Sequence, residues 1–108
     1  MSINIKKGDT FTFQYDLEWG DGSPIDLTMV DTVIMYAVKY GDTTPTITIA
    51  CSIVDANDGT VEVDFDDDET ETVGMYIMIF KCNFPNDETL SVPMNGKMWL
   101  HIEDGYMV

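Results

Sequence analysis

His101 is the only histidine in the chain, and Cys51 and Cys82 are the only cysteines. Nucleophilic catalysis on them would need a nucleophile and a base in hydrogen-bond reach. His101 lies between Leu100 and Ile102 in an alternating run, so its imidazole points away from the core. Both cysteines lie inside apolar runs, where a thiol is a small buried hydrophobe. A Cys–His pair would therefore have to reach across opposite sides of a layer. One histidine and two scattered cysteines also make a poor zinc site.

Carboxylates are far more abundant. The stretch from Asp64 to Glu71 holds hard oxygen ligands suited to calcium, with Asp64, Asp66, Asp67 and Asp68 as the candidate ligands. Residues Asp55-Ala-Asn-Asp-Gly59 look like a calcium loop, but the glycine falls at position five and no Glu stands at position twelve. Paired carboxylates for glycoside hydrolysis need a cleft, for which a short chain has little room. No phosphate-binding loop or dinucleotide fingerprint is present. The expectation is a protein without catalysis, cofactor or metal. Trp19, Trp99, Tyr40 and Tyr106 could instead stack on sugar rings, which makes a carbohydrate-binding module, assisted by calcium, the alternative reading.

The chain has 108 residues, suited to one domain over 1–108, and 44% of them are hydrophobic. Net charge is −15, from 20 acidic residues against five lysines and no arginine. That balance argues against nucleic acid and against anionic membranes as partners. Spread over the roughly 6,000 Å² expected for this mass, the charges stand about 20 Å apart, beyond the Debye length of about 8 Å. Local clusters therefore matter more than the total. No signal-peptide run or membrane-length apolar segment is present, so a soluble product made inside the cell is expected.

Period-2 alternation dominates the chain. It predicts strands at Ile3 to Lys6, Thr10 to Glu18, Thr32 to Tyr40, Thr46 to Ile53, Thr60 to Phe65, Met75 to Phe84, Thr89 to Val92 and Lys97 to Glu103. Trp19 to Asp26 reads as a loop. Asp66 to Val73 breaks the alternation, and its Asp66/Glu69 spacing suits a capping box, so a single helical turn is expected there. Strands at this spacing without crossover helices predict an all-β, immunoglobulin-like antiparallel β-sandwich of seven or eight strands with one short helical turn. Tyr76, two residues before Met78, has the placement of a tyrosine corner, whose hydroxyl bonds back to the preceding backbone.

Two strands are apolar on both sides. Thr32 to Tyr40 carries Ile34, Tyr36, Val38 and Tyr40 on one row, and Val33, Met35 and Ala37 on the other. Met75 to Phe84 carries Tyr76, Met78, Phe80, Cys82 and Phe84 on one row, and Met75, Ile77 and Ile79 on the other. Only one row of each can enter a two-layer core. Val33, Met35, Ala37, Ile77, Ile79 and Trp99 are expected to form an outward apolar patch, and such patches mark partner surfaces.

The punctuation of the chain has a counterpart among known proteins. Gly8-Asp-Thr-Phe-Thr-Phe is followed by Gly22-Ser-Pro-Ile-Asp-Leu-Thr28 and by Ile53-Val-Asp-Ala-Asn-Asp-Gly-Thr-Val61. An acidic turn then leads into Val73-Gly-Met-Tyr76, and Asn83-Phe84 precedes the closing strands. This resembles the N-terminal domain of phage baseplate upper proteins and related small phage tail proteins, over nearly the whole chain. It departs at Met29-Val30-Asp31, where the family tends to have a glycine, and with one domain expected over 1–108, the distal receptor-binding region of full-length baseplate proteins is not expected within these residues. The resemblance thus implies an immunoglobulin-like sandwich serving as a structural tail or baseplate protein that docks onto other tail proteins; a homo-oligomer is a further partner expectation. It does not imply direct host recognition. It further implies synthesis in a bacterial host's cytoplasm and residence in the virion tail of a phage or prophage.

Overall fold

The structure, a computed structural model, describes residues 2–93 and 96–104. Among the described residues there are nine strands: β1 (Ser2–Lys6), β2 (Phe11–Asp16), β3 (Thr32–Lys39), β4 (Ile47–Ala50), β5 (Ser52–Asp55), β6 (Thr60–Phe65), β7 (Gly74–Asn83), β8 (Thr89–Val92) and β9 (Met98–Glu103). They form two sheets. The larger runs β1-β9-β7-β3-β4, with β8 also paired to β7, and the smaller runs β2-β6-β5.

Three details depart from the sequence reading. The strand expected from Thr46 to Ile53 is two strands. At Cys51 the chain leaves the larger sheet, the Cys51 N–H donating to the Val33 carbonyl at 2.9 Å, and then continues in the smaller sheet. Nine strands rather than seven or eight result. The sheets are not wholly antiparallel either, because β1 lies parallel to β9, from Ser2 opposite Trp99 to Lys6 opposite Glu103. The two lie at opposite ends of the sequence, so nearly the whole fold serves as their connection. Finally, residues 67–70 form a hydrogen-bonded turn and not a helix. Only half of the capping box forms: the Asp66 N–H donates to Glu69 Oε1 at 2.7 Å, but the Glu69 N–H donates to the Asp66 backbone carbonyl at 3.1 Å, a turn bond, and not to its side chain. Thr70 is buried and donates to the Asp9 carbonyl at 2.8 Å, which ties the segment down before a second turn can nucleate.

The core lies between the sheets. The row Tyr76, Met78, Phe80 and Cys82 of β7 is fully buried, as the alternation requires. In β3, however, the buried row is Val33, Met35 and Ala37, which corrects the expectation that these three point outward. The register explains it. Val33 stands opposite Cys82, Met35 opposite Phe80 and Ala37 opposite Met78, and directly opposed residues share a face. From the smaller sheet come Val61, Val63 and Phe65, flanked by Phe11 and Phe13, while Tyr15 stacks on Phe80 at 5.5 Å. Leu17, Ile25 and Leu27 also belong to the core, although the last two sit in or beside a segment that reads as loop. Their backbones substitute for a strand: Ile25 N–H donates to the Leu17 carbonyl and Leu27 N–H to the Ala56 carbonyl.

The tyrosine corner is formed. Buried Tyr76 donates its hydroxyl to the Thr72 carbonyl at 2.7 Å, satisfying a phenol that would otherwise be stranded in the core. Both cysteines are free thiols. Val33 lies between them, paired with Cys82 on one side and bonded to Cys51 on the other. Two strand spacings put them roughly 10 Å apart, beyond the Cα limit of about 7 Å for a disulfide. Burial pushes both thiols up to about 11. In the unfolded chain they ionise near 9, so unfolding releases protons between these values. Stability should therefore be intact below about pH 9 and fall as pH rises toward 11. Thiol titration with a chromogenic disulfide at pH 8 should label both cysteines slowly in the native protein and at once in guanidinium. Rapid native labelling of Cys82 would contradict its burial.

Candidate docking face

The outward side of the larger sheet is built by the same registers that build the core. On β3 and β7, Ile34 stands opposite Lys81, Tyr36 opposite Ile79 and Val38 opposite Ile77. On β9, Trp99 stands opposite Ile77 and His101 opposite Met75. The Tyr40 N–H donates to the Met75 carbonyl and carries the row one residue further. Ile34, Tyr36, Val38, Ile77, Ile79 and Trp99 are half-buried, while Tyr40 is 68% and Met75 40% exposed. Sheet neighbours shield their flanks, yet no layer covers this side among the described residues.

Local geometry gives the face relief. Tyr40 and Trp99 meet with ring centroids 5.9 Å apart, tilted by 43°. Lys81 Nζ stands 5.9 Å from the Tyr36 ring and Lys97 Nζ 5.9 Å from the Trp99 ring, both in cation–π range. The turn after β3 folds beside the sheet, so Thr43 and Pro45 wall a shallow groove floored by Tyr36, Val38, Ile79 and Lys81. At one corner Lys6 pairs with Glu103, which also has His101 Nδ1 at 3.5 Å from its Oε1. The hydrogen bond and charge of this pair raise Lys6 above its ordinary value and hold Glu103 below the usual carboxylate range.

Of the residues expected outward, Ile77, Ile79 and Trp99 are on this face, and Val33, Met35 and Ala37 are on the core side of the same sheet. Ile34, Tyr36 and Val38 take their places. The hydroxyl of Tyr36, which tolerates water where Met35 and Ala37 gain nothing from it, is the signal for this choice. Comparison with models of known protein families and with curated proteins returns no match. The face therefore has to be read from its own chemistry.

The carboxylate and Cys–His candidates weighed from the sequence do not converge among the described residues. Asp64 points away from the core on β6 and accepts a hydrogen bond from Thr12 across the strand pair. Asp66, Asp67 and Asp68 are exposed, Asp66 with its amide turned toward Glu69. No three His, Cys, Asp or Glu side chains converge on a common point among the described residues. His101 is on the outward face, whereas Cys82 lies in the core and Cys51 is half-buried against it. Of the aromatics suited to sugars, Tyr40 and Trp99 are together. Trp19 is in a separate groove with Tyr15, Val92 and Pro93, and Tyr106 lies outside the described residues.

Proposed function

We propose that this chain is a structural docking module of a phage or prophage tail, associated with the baseplate, and that it binds other tail proteins through the outward face of its larger sheet. The observation that carries this reading is the face itself. In a chain of net charge −15, three neighbouring strands present Ile34, Tyr36, Val38, Ile77, Ile79 and Trp99 on the side opposite the core. Contiguous apolar surface of this kind marks interaction sites, and its aromatics are the residue types that dominate interface energetics. The tyrosine corner and the two facing sheets favour an immunoglobulin-like sandwich, and the sequence resemblance supplies the tail context. Docking of this kind requires no catalytic group.

The test is co-production with the products of adjacent genes, followed by size exclusion with light scattering. A defined complex is expected with the native chain and with Gln14→Glu on the opposite sheet. Ile79→Asp should weaken it by roughly 30-fold or more, the scale of a hot-spot loss, while shifting the melting temperature by only a few degrees. A complex that survives both Ile79→Asp and Tyr36→Asp would remove the face from consideration. The Tyr40–Trp99 pair favours a second reading, in which the face is a sugar platform. Glycan binding that disappears with Trp99→Ala would establish it in place of the first.

A further inference from the structure

Resting on the docking reading, we infer that the partner surface is acidic: apolar at its centre and edged by carboxylates that meet Lys81 and Lys97.

The charges of the molecule are sorted between its two faces. Among the outward strand residues of the larger sheet the only carboxylate is Glu103, and Lys6 neutralises it. Three of the five lysines, Lys6, Lys81 and Lys97, stand on or at the rim of this side. The outward row of β2 and β6 is the reverse. It holds Thr12, Gln14, Asp16, Thr60, Glu62 and Asp64, with no lysine. A chain with 20 acids and five lysines has every opportunity to pair its cations. Yet among the described residues neither Lys81 nor Lys97 has a carboxylate within ion-pair reach, and Asp42, in the adjoining turn, pairs with neither. Each ammonium is instead parked over an aromatic ring at 5.9 Å. That contact leaves its N–H donors free and its stem lying on apolar surface.

An incoming surface is judged locally, because charges more than about 8 Å away are largely screened at physiological salt. The total of −15 therefore does not repel an acidic partner that approaches on this side, whereas cations facing Lys81 and Lys97 would be selected against. A second copy fits poorly. Its matching face would bring lysines to lysines, and the outward row of its β2 and β6 offers carboxylates without any apolar side chain to bury. The occupant is therefore a different protein, presenting Asp or Glu around a hydrophobic patch.

Two synthetic heptapeptides test this directly. Each alternates valine or phenylalanine with a charged residue, glutamate in one and lysine in the other. They are titrated into the intact chain while backbone amide shifts are followed by NMR. The glutamate peptide should shift the amides of Tyr36, Ile79, Lys81 and Trp99, and bind about tenfold more weakly to the Lys81→Glu/Lys97→Glu variant. The lysine peptide should instead shift Asp16, Glu62 and Asp64. Equal engagement of the face by both peptides, or its engagement by the lysine peptide alone, overturns the inference. So does a tail complex that the double lysine variant leaves at native affinity. If that complex is nevertheless lost with Ile79→Asp, docking stands and only its acidic partner falls. Shifts of the face by a soluble polysaccharide and by neither peptide would overturn both.

Discussion

Replacing Gly59 with alanine is expected to bring the chain to the edge of unfolding at physiological temperature. Gly59 is in the left-handed region at φ 71°, and a Cβ there would stand 2.7 Å from the carbonyl oxygens of both Leu17 and Ile25. Those obstacles are backbone and cannot rotate away. The Leu17 carbonyl is also engaged, accepting the Ile25 N–H at 2.9 Å, while the Leu17 N–H donates to the Gly59 carbonyl at 2.8 Å. Making room breaks this ladder and loosens Leu17, Ile25 and Leu27, which are at most 1% exposed. The left-handed conformation costs alanine about 1–2 kcal/mol, and each lost hydrogen bond about 1 kcal/mol. Exposing even one of the three side chains costs about 1.5–3 kcal/mol more. Together these approach the lower end of a typical 5–15 kcal/mol stability, and at several degrees per kcal/mol the melting temperature should fall by roughly 20–30 °C. Gly41→Ala is the control. Its φ is 94°, but a Cβ would meet nothing within 4 Å, so a drop of only about 5–10 °C is expected. Thermal melts followed by circular dichroism decide the matter. If the two variants melt alike, the 17–27 segment is not rigidly seated on the turn.

That turn illustrates which features were legible. Asp55-Ala-Asn-Asp-Gly59 invites a calcium reading from its residue types, but Gly59 serves close backbone approach, and the Asp55 carboxylate accepts the Asp58 N–H at 3.2 Å. Strands whose alternation is strict, such as Phe11–Asp16 and Thr60–Phe65, were readable because one row is polar. The tyrosine corner was readable because its two ends, Thr72 and Tyr76, are four residues apart. Features set by distant segments were not. Nothing near Cys51 announces that the chain changes sheets there. The burial of Ile25 and Leu27 depends on Leu17 and Ala56, well away in sequence. The parallel pairing of β1 with β9 joins opposite ends of the described chain. Of the docking face, the β7 and β9 residues were legible because Lys81 and His101 mark their rows as wet. The β3 residues were harder to place, since both rows of that strand are apolar: the Tyr36 hydroxyl is the one local signal, and the pairing with β7 is what fixes the parity.

That parity gives the sharpest contrast between neighbours. Met35→Asp should abolish folding at 25 °C, whereas Tyr36→Asp should leave a folded chain that no longer docks. Met35 is 0% exposed and lies between Phe80 and Ile49 in the register. Removing it leaves a cavity whose scale in Met→Ala changes is about 2–5 kcal/mol. An unpaired carboxylate then stands in the core, where it must be held protonated. The unfolded Asp ionises near pH 3.9 and the buried one well above that, so any residual stability should be greatest below about pH 4 and fall steadily as pH rises from there toward the raised value of the buried group. Tyr36 lies between Ile79 and Thr48 on the outward side, with Lys81 above its ring. An aspartate there loses part of the ring's packing but keeps water and gains a nearby ammonium, so about 1 kcal/mol of destabilisation is expected. Circular dichroism melts from pH 4 to 8, run beside the docking assay, separate the two. Should Tyr36→Asp unfold the chain and Met35→Asp spare it, β3 would be turned over. The surface assigned to partners would then be the core, and neither the docking face nor its acidic complement could stand.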